Sequence, residues 1–214
     1  MAELPVVEGM IDAQGIIFLT AGFETTANTL GSLIYHMATY PEVQNRVYEE
    51  ICDLIGSDET ITHENIKDLH YLEACIMETL RHCPPVTEHD RTCVNDCVVN
   101  GIIIKKGVRI QMPNYASHFD EEFFPQPKKY MPERFLKENA EEIVPYTWRP
   151  FGAGNRVCIG QRFAIMEMKI FMAKLISKLK INKTPRTEHQ YDRVGAFILV
   201  TYPDIVVNLE KRSL

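Results

Sequence analysis

The sequence lacks the features that would place it in several common classes. Its formal charge of −6 over 214 residues argues against a general nucleic-acid binder, whose surface would be basic. The N-terminus has no basic region followed by a continuous apolar core, so we expect no signal peptide. The cysteines include no Cys-x-x-Cys pair, which argues against a zinc knuckle, and nothing suggests the secretion that favours disulfides. They are Cys52, Cys75, Cys83, Cys93, Cys97 and Cys158.

The sequence also lacks an uninterrupted membrane-spanning run, internal repeats and low-complexity tracts. Its most apolar stretch, Ile11 to Ala38, carries Glu24 near its middle, so no span is expected. The whole sequence is 45% hydrophobic and 24% charged, and this composition fits one globular domain with a substantial core.

A loop that presents one sulfur is the most informative segment. Arg156 precedes Cys158 by two residues and Gly160 follows it by two, so a thiolate there would be stabilised by backbone N–H groups and a positive charge. The predicted helix from Arg162 to Leu179 puts Cys158 near a helix N-terminus, which also favours negative charge. Such a sulfur can hold a metal, and glycines let a flat ligand lie against the backbone. The alternative for a lone cysteine is a buried free thiol.

A second candidate lies within a long predicted helix, from about Met10 to Thr39. Its centre reads Ala21-Gly22-Phe23-Glu24-Thr25-Thr26, where small residues permit close approach of a flat object. A Thr hydroxyl can bond back to the carbonyl four residues earlier, and we expect this bond to loosen the helix locally. The carboxylate and hydroxyl are the parts that a proton relay needs. Taken alone, the segment is weak evidence for such a relay and favours a Gly-kinked helix with a satisfied internal Glu.

A third candidate is the pair Glu78 and Arg81, which share one face of a helix predicted to run to about Arg81. Such pairs are usually solvated, but apolar neighbours favour burial here, and a buried pair needs further hydrogen-bonding partners. Arg134 is the candidate third member. His118 has no partner at metal-ligand spacing, so we expect a packed or hydrogen-bonded histidine.

The remaining pattern predicts an amphipathic helix over Pro41 to Gly56 and short strands around an Asn100-Gly101 turn. A short helix over Asn114 to Phe119 and an ordered meander over Phe124 to Trp148 follow. The predicted strands, the last two forming a terminal hairpin, are Cys97 to Val99, Ile102 to Ile104, Val108 to Met112, Phe197 to Thr201 and Ile205 to Leu209.

The pattern Phe-x-x-Gly-x-Arg-x-Cys-x-Gly, which begins at Phe151, resembles the haem-binding loop of the cytochrome P450 family. Ala21 to Thr26 matches the family's distal-helix motif, Glu78 and Arg81 its Glu-x-x-Arg helix, and Pro132 to Phe135 its Pro-Glu-Arg-Phe element. The run Cys158 to Ala164 looks most like the eukaryotic microsomal branch, which oxidises steroids and xenobiotics.

The resemblance implies a mainly α fold with small β-sheets, the C-terminal portion of the P450 fold. It implies haem b held by the Cys158 thiolate, with Glu24 and Thr25 as acid and alcohol in oxygen activation. Glu78, Arg81 and Arg134 would form an architectural network that fixes the thiolate loop. Arg156 and Arg91 would reach haem propionates, although no tight motif encloses Arg91, which could be a plain surface residue. The other implied haem contacts are Phe151, Gly154, Gly160, Ala21 and Gly22.

The resemblance also implies partners and a location. Electrons would come from NADPH through a separate reductase, for which Arg149 and Arg162 are candidate contacts. The substrate would be a small apolar molecule of the steroid, lipid or xenobiotic class, facing Val86, Thr87 and Val194 to Phe197. A full-length member would lie on the cytosolic side of the endoplasmic reticulum membrane.

The resemblance covers only part of the family's length. We expect residues 1–214 to be a single, incomplete P450 domain without the N-terminal half that carries the membrane anchor. A haem-dependent monooxygenase is the first hypothesis, and a non-catalytic fragment or haem-binding remnant is the alternative. Under the alternative, the two long helices would expose large apolar faces, and the chain alone would be poorly soluble.

Overall fold

The computed structural model describes residues 9–56, 60–187 and 205–212, and it is mainly helical. The helices are α1 (Met10–Thr39), α2 (Pro41–Ile55), α3 (His70–His82), α4 (Asn114–His118) and α5 (Gln161–Lys178). Short 3-10 helices span Pro132–Phe135, Ala140–Glu142 and Gly154–Arg156. The strands are β1 (Glu88–Thr92), β2 (Cys97–Val99), β3 (Ile102–Ile104), β4 (Arg109–Pro113), β5 (Leu179–Lys183) and β6 (Val207–Lys211). The predicted fold class, mainly α with small sheets, is confirmed.

The strands form three separate antiparallel pairs, β1 with β4, β2 with β3, and β5 with β6. The predicted hairpin is confirmed: Asn100 and Gly101 both have positive φ, as a two-residue turn between β2 and β3 requires. The strand predicted at Val108 to Met112 does not join this hairpin but pairs with β1. β1 was not predicted because its sequence, Glu-His-Asp-Arg-Thr, has no apolar alternation.

The C-terminal strand β6 pairs with a segment that was not predicted as its partner. β6 pairs with β5, residue by residue from Leu179 opposite Lys211 to Lys183 opposite Val207. The predicted strand Phe197 to Thr201 lies outside the described residues. β5 therefore continues directly from α5 and holds the C-terminal strand.

One hydrophobic core joins α1, α2, α3 and α5. Its fully buried side chains include Leu33, Met37, Leu72, Ile76, Met172 and Ile176. The Gln44 amide ties the same region together, because its nitrogen donates to the carbonyls of Met37 and Ile181 at 2.8 Å each. Helices α5 and α1 are thus positioned by shared packing.

Helix α1 is exposed over its N-terminal half. In the described helix α1, the first buried side chain is that of Thr26, whereas Ile11 and Phe23 are 76% and 75% exposed. Helix α5 is likewise buried on one face only, through Met168, Lys169, Met172, Ala173 and Ile176. None of the described helices combines the length and apolar character that crossing a bilayer requires.

Candidate functional site

The cysteine loop is a compact turn directly before α5. The Cys158 N–H donates to the Phe151 carbonyl at 2.8 Å, which closes the loop, and a 3-10 turn spans Gly154–Arg156 between them. Gly152 and Gly154 adopt positive φ, which explains why glycine stands at these two positions. Gly160 does not: with φ −88° it caps α5. A Cβ on Gly160 would lie 3.9 Å from Cys158 Sγ, which is an ordinary van der Waals contact.

Cys158 is exposed, in contrast to Cys75 and Cys83, which are buried. The alternative of a buried free thiol is therefore wrong for this residue. Cys158 stands three residues before the first residue of α5, where unpaired backbone N–H groups and the helix dipole favour a negative charge. The loop presents a sulfur that an external group can reach.

Helix α1 displays the second candidate group on its exposed side. Glu24 is exposed, Thr25 is half-buried, and the Thr25 hydroxyl donates to the Ala21 carbonyl at 2.7 Å, as predicted. The helix nevertheless continues unbroken, contrary to the predicted loosening. A carbonyl has two lone pairs, so it can accept the hydroxyl without losing its backbone partner. Among the described residues, no atom other than those of the adjoining residues and the backbone of α1 itself lies within 4 Å of where a Cβ on Gly22 would stand.

A buried ion pair forms the centre of the third group. Arg81 donates from Nε and Nη2 to the two carboxylate oxygens of Glu78, at 2.8 and 2.9 Å, and both side chains are 0% exposed. The other Arg81 donors reach the carbonyls of His118 and Pro127 at 2.6 and 2.8 Å. The Met131 N–H also donates to Glu78 at 2.8 Å. The pair is thus fully hydrogen-bonded rather than solvated, which a buried ion pair needs.

Arg134 stands beside this pair. Its Nε lies 3.6 Å from Glu78 Oε1, and its Nη2 donates to the carbonyls of Pro125 and Gln126 at 2.6 and 3.0 Å. The structure therefore brings together all three residues of the expected network. Burial raises the pKa of Glu78 above its usual value, while the hydrogen bonds from Arg81 and the Met131 N–H and the nearby charge of Arg134 act in the opposite direction.

His118 connects the ion pair to the segment that leads into the cysteine loop. Its Nδ1 lies 3.2 Å from the Arg81 carbonyl, and the Arg149 N–H donates to its Nε2 at 3.3 Å. The proton must therefore sit on Nδ1, and the ring must be neutral. Burial lowers the pKa of His118 to about 3, consistent with this neutral state. His118 is the hydrogen-bonded histidine that the sequence predicted.

A small cavity lies where β1 and β4 approach the cysteine loop. Its volume is about 220 Å³, and His89 Nε2 lies 3.3 Å from where a Cβ on Gly152 would stand. The residues that line the cavity are His89, Arg91, Met112, Tyr146, Arg149, Gly152 and Ala153. Sequence analysis missed His89 and Tyr146, although His89 and Arg91 are two residues apart and so share one face of β1.

The predicted cationic residues occupy different environments. Arg156 in the loop and Arg162 at the start of α5 are exposed. Arg91 lines the cavity and donates to the Asp90 carbonyl at 2.6 Å. Arg149 is half-buried, and its Nε is enclosed with no hydrogen-bond partner among the described residues. Val86 and Thr87 are half-buried before β1, and Val194 to Phe197 lie outside the described part of the chain.

The residues present fit a haem group. An accessible thiol at a helix N-terminus can ligate iron, and the open space at Gly22 leaves room for a flat ring beside α1. Arg91 and Arg149 line one cavity, and their guanidinium groups suit a carboxylate such as a propionate. The site thus offers a sulfur ligand for a metal and guanidinium hydrogen-bond donors for acidic groups.

Comparison with known proteins identifies one family. The family model described as Cytochrome P450 matches residues 7–206. Cytochrome P450 3A7 of Homo sapiens is 37% identical over 201 residues, which cover 94% of this chain and 40% of that protein. Cytochrome P450 3A16 of Mus musculus is 39% identical over 203 residues, covering 95% and 40%. Cytochrome P450 3A2 of Rattus norvegicus is 39% identical over 178 residues, covering 83% and 35%. The chain therefore spans about two fifths of the length of these relatives.

Proposed function

The chain belongs to the cytochrome P450 family, and from that premise we propose that it acts in a haem-thiolate monooxygenase with Cys158 as the axial ligand. The single observation that carries the proposal is the accessible Cys158 sulfur, held at the N-terminus of α5 by a loop that closes on Phe151. Bound haem supplies oxygen activation, in which one atom of dioxygen enters an apolar substrate and the other leaves as water.

In this proposal the loop prepares Cys158 for its role. Ligation needs the thiolate, and the N-terminus of α5 favours that negative charge. Phe151, Gly154 and Gly160 would be the ring contacts in the loop, and Ala21 with the open space at Gly22 would admit the ring beside α1. Arg91 and Arg156 hold the propionate carboxylates.

Glu24 and Thr25 deliver protons. Thr25 Oγ1 already donates to the Ala21 carbonyl, so its lone pairs remain available to accept a proton from the Glu24 side of the helix. When the Thr25 hydroxyl rotates away from that carbonyl, it can pass a proton on. Without this control the reducing equivalents end as peroxide.

The Glu78, Arg81 and Arg134 network has an architectural role. It connects α3 to the carbonyls of Pro125, Gln126 and Pro127 in the meander, and through His118 to Arg149. We assign to it the placement of the cysteine loop relative to the core. The expectation of one domain over residues 1–214 stays a proposal, supported by a core that draws on α1, α5 and β6.

The partners follow from the family. Similarity to proteins named cytochrome P450 3A supports a steroid, lipid or xenobiotic substrate and NADPH-derived electrons from a separate reductase. Arg162, exposed on α5 beside the cysteine loop, is the proposed reductase contact. The proposed location is the cytosolic side of the endoplasmic reticulum membrane.

The proposal is tested by Cys158→Ala. After haem is added, the variant should lose the red-shifted absorbance of the reduced carbon monoxide complex, since that band requires a thiolate ligand. Cys97→Ala is the matched control because Cys97 is also exposed, and it should keep the band. Persistence of the band in Cys158→Ala would refute the ligand assignment.

A second candidate is haem binding without turnover. The observation that favours it is the exposed apolar half of α1, from Ile11 to Phe23, which leaves the surroundings of Glu24 open to water in the described structure. Oxygen insertion needs water excluded from the site. A chain that shows the thiolate-type band but, with NADPH and reductase, yields only peroxide and no oxidised product would support this candidate.

A further inference from the structure

The cavity between β1 and the cysteine loop is lined by Arg91 and Arg149, and we call it the Arg91–Arg149 cavity. The lining residues within the described ranges include no carboxylate. Asp90, the nearest acidic residue on β1, instead pairs with Arg109. Two guanidinium groups therefore share one small space without an acidic side chain between them.

Arg149 is the unusual member. Its backbone N–H is bound by His118, but its Nε is buried and has no acceptor among the residues that the structure describes. Burial lowers the pKa of Arg149 below its usual value, which reflects the cost of removing a cation from water. A buried donor on a charged group is unfavourable until an acceptor arrives.

His89 adds a third donor. The Asn114 amide nitrogen donates to His89 Nδ1, so in the neutral ring the proton sits on Nε2, on the Gly152 side. Two arginines and one imidazole N–H thus line the cavity with donors. Charge-assisted, forked hydrogen bonds from arginine are the preferred partners of a carboxylate.

The size of the cavity limits its occupant. Its volume of about 220 Å³ is below the roughly 300–1,000 Å³ of pockets that enclose a whole ligand. It can take an acidic arm of a larger molecule. The adjoining cysteine loop supplies the sulfur to which, in the proposed function, the rest of that molecule is bound.

We propose that the Arg91–Arg149 cavity binds a propionate carboxylate of haem and that Arg149 is its anchoring residue. This inference rests on the proposed function but goes beyond it, because the family resemblance assigns propionate contacts only to Arg91 and Arg156. It also replaces the expectation that Arg149 contacts a reductase. A half-buried arginine that lines a cavity serves a ligand inside the protein better than a partner outside.

The test compares haem with its dimethyl ester, which keeps the iron and the ring but removes both carboxylate charges. Binding to the full 214-residue chain is titrated by absorbance for wild type, Arg149→Gln and Arg149→Lys. Arg186→Gln removes the same charge from an exposed residue that does not line the cavity. Thermal unfolding without haem checks that each variant folds.

Arg149→Gln should weaken haem binding about tenfold to a hundredfold, the loss expected for a hydrogen bond to a charged group. It should leave binding of the dimethyl ester unchanged, and Arg186→Gln should change neither. Arg149→Lys should fall between, because lysine keeps the charge but loses the fork.

Equal weakening for haem and its ester, or no weakening for either, would overturn the inference. The inference would also be overturned if the wild type bound haem and the ester with equal affinity while free acetate bound in the cavity. The cavity would then bind a separate acid. If wild type binds no haem, the proposed function itself fails. If Cys158→Ala loses the thiolate band while Arg149→Gln leaves the haem-to-ester ratio intact, only this inference fails.

Discussion

His118 Nε2 accepts the backbone N–H of Arg149 at 3.3 Å, and this bond joins two regions that the sequence separates. On one side of His118 is Arg81, bound to Glu78 in the buried core. On the other side is the segment that leads into the cysteine loop. A chain of hydrogen bonds thus links the segment before Cys158 to an ion pair that is fully buried.

Removing the Glu78 charge should be strongly destabilising. Glu78→Gln leaves Arg81 buried without a counter-charge, so we expect the free energy of unfolding to fall by about 3–5 kcal/mol. Glu64→Gln is the control, because Glu64 also pairs with a basic residue three positions away, Lys67, but on the surface, and its loss should change stability little. Urea-induced unfolding measures both, and similar losses would contradict the assigned burial.

The neutral His118 ring should make stability depend on pH. Its pKa of about 3 in the folded chain lies below the ordinary 6.5, so below pH 6.5 the unfolded state takes up a proton that the folded state refuses. The stability that the neutral His118 ring contributes is therefore fully present above pH 6.5 and is lost as pH falls towards 3.

His118→Gln removes that contribution. The stability gap between wild type and variant should therefore shrink by about 2 kcal/mol between pH 6.5 and pH 5, at about 1.4 kcal/mol per unit. His63→Gln alters an exposed histidine and should leave the slope of the wild type. Parallel unfolding curves for wild type and His118→Gln would count against a neutral, buried ring.

The cysteines should differ in reactivity. Iodoacetamide should modify the exposed Cys97 and Cys158 in the folded chain, whereas Cys75 and Cys83 should react only after unfolding. Burial raises the pKa of the Cys75 thiol, which slows it further. Added haem should protect Cys158 and leave Cys97 reactive. Peptide mass spectrometry measures the modification of each cysteine. If Cys158 reacted equally fast with and without haem, ligation of the iron by Cys158 would be contradicted.

Thr25 should control the fate of reducing equivalents. In a haem-loaded form supplied with reductase, Thr25→Ala should raise the peroxide released per NADPH consumed, because the hydroxyl that now donates to Ala21 is gone. Thr25→Ser keeps the hydroxyl and should behave like wild type. Haem content should be equal in all three, and unchanged coupling in Thr25→Ala would remove the residue from the proton path.

Lys169 shows how a contact escapes sequence analysis. On α5 it lies almost opposite Glu167, Lys174 and Lys178, and the helical pattern offered no explanation for a lysine on the apolar face. In the structure it is 4% exposed, and its Nζ donates to Glu73 at 2.9 Å and to the Lys67 carbonyl at 3.3 Å. A buried lysine needs such partners, and both lie about a hundred residues away along the chain.

The sequence by itself determined the helices, the Asn100-Gly101 hairpin, the cysteine loop and the pairing of Glu78 with Arg81. Each depends on spacings of a few residues, which set a helix face, a turn or a loop directly. Only the tertiary structure decided that β4 pairs with β1, that half of α1 is exposed, and that Arg149 lines a cavity while its Nε has no partner among the described residues. These depend on which distant segments pack together, because burial and hydrogen-bond partners are properties of the assembled core and not of any short stretch of chain.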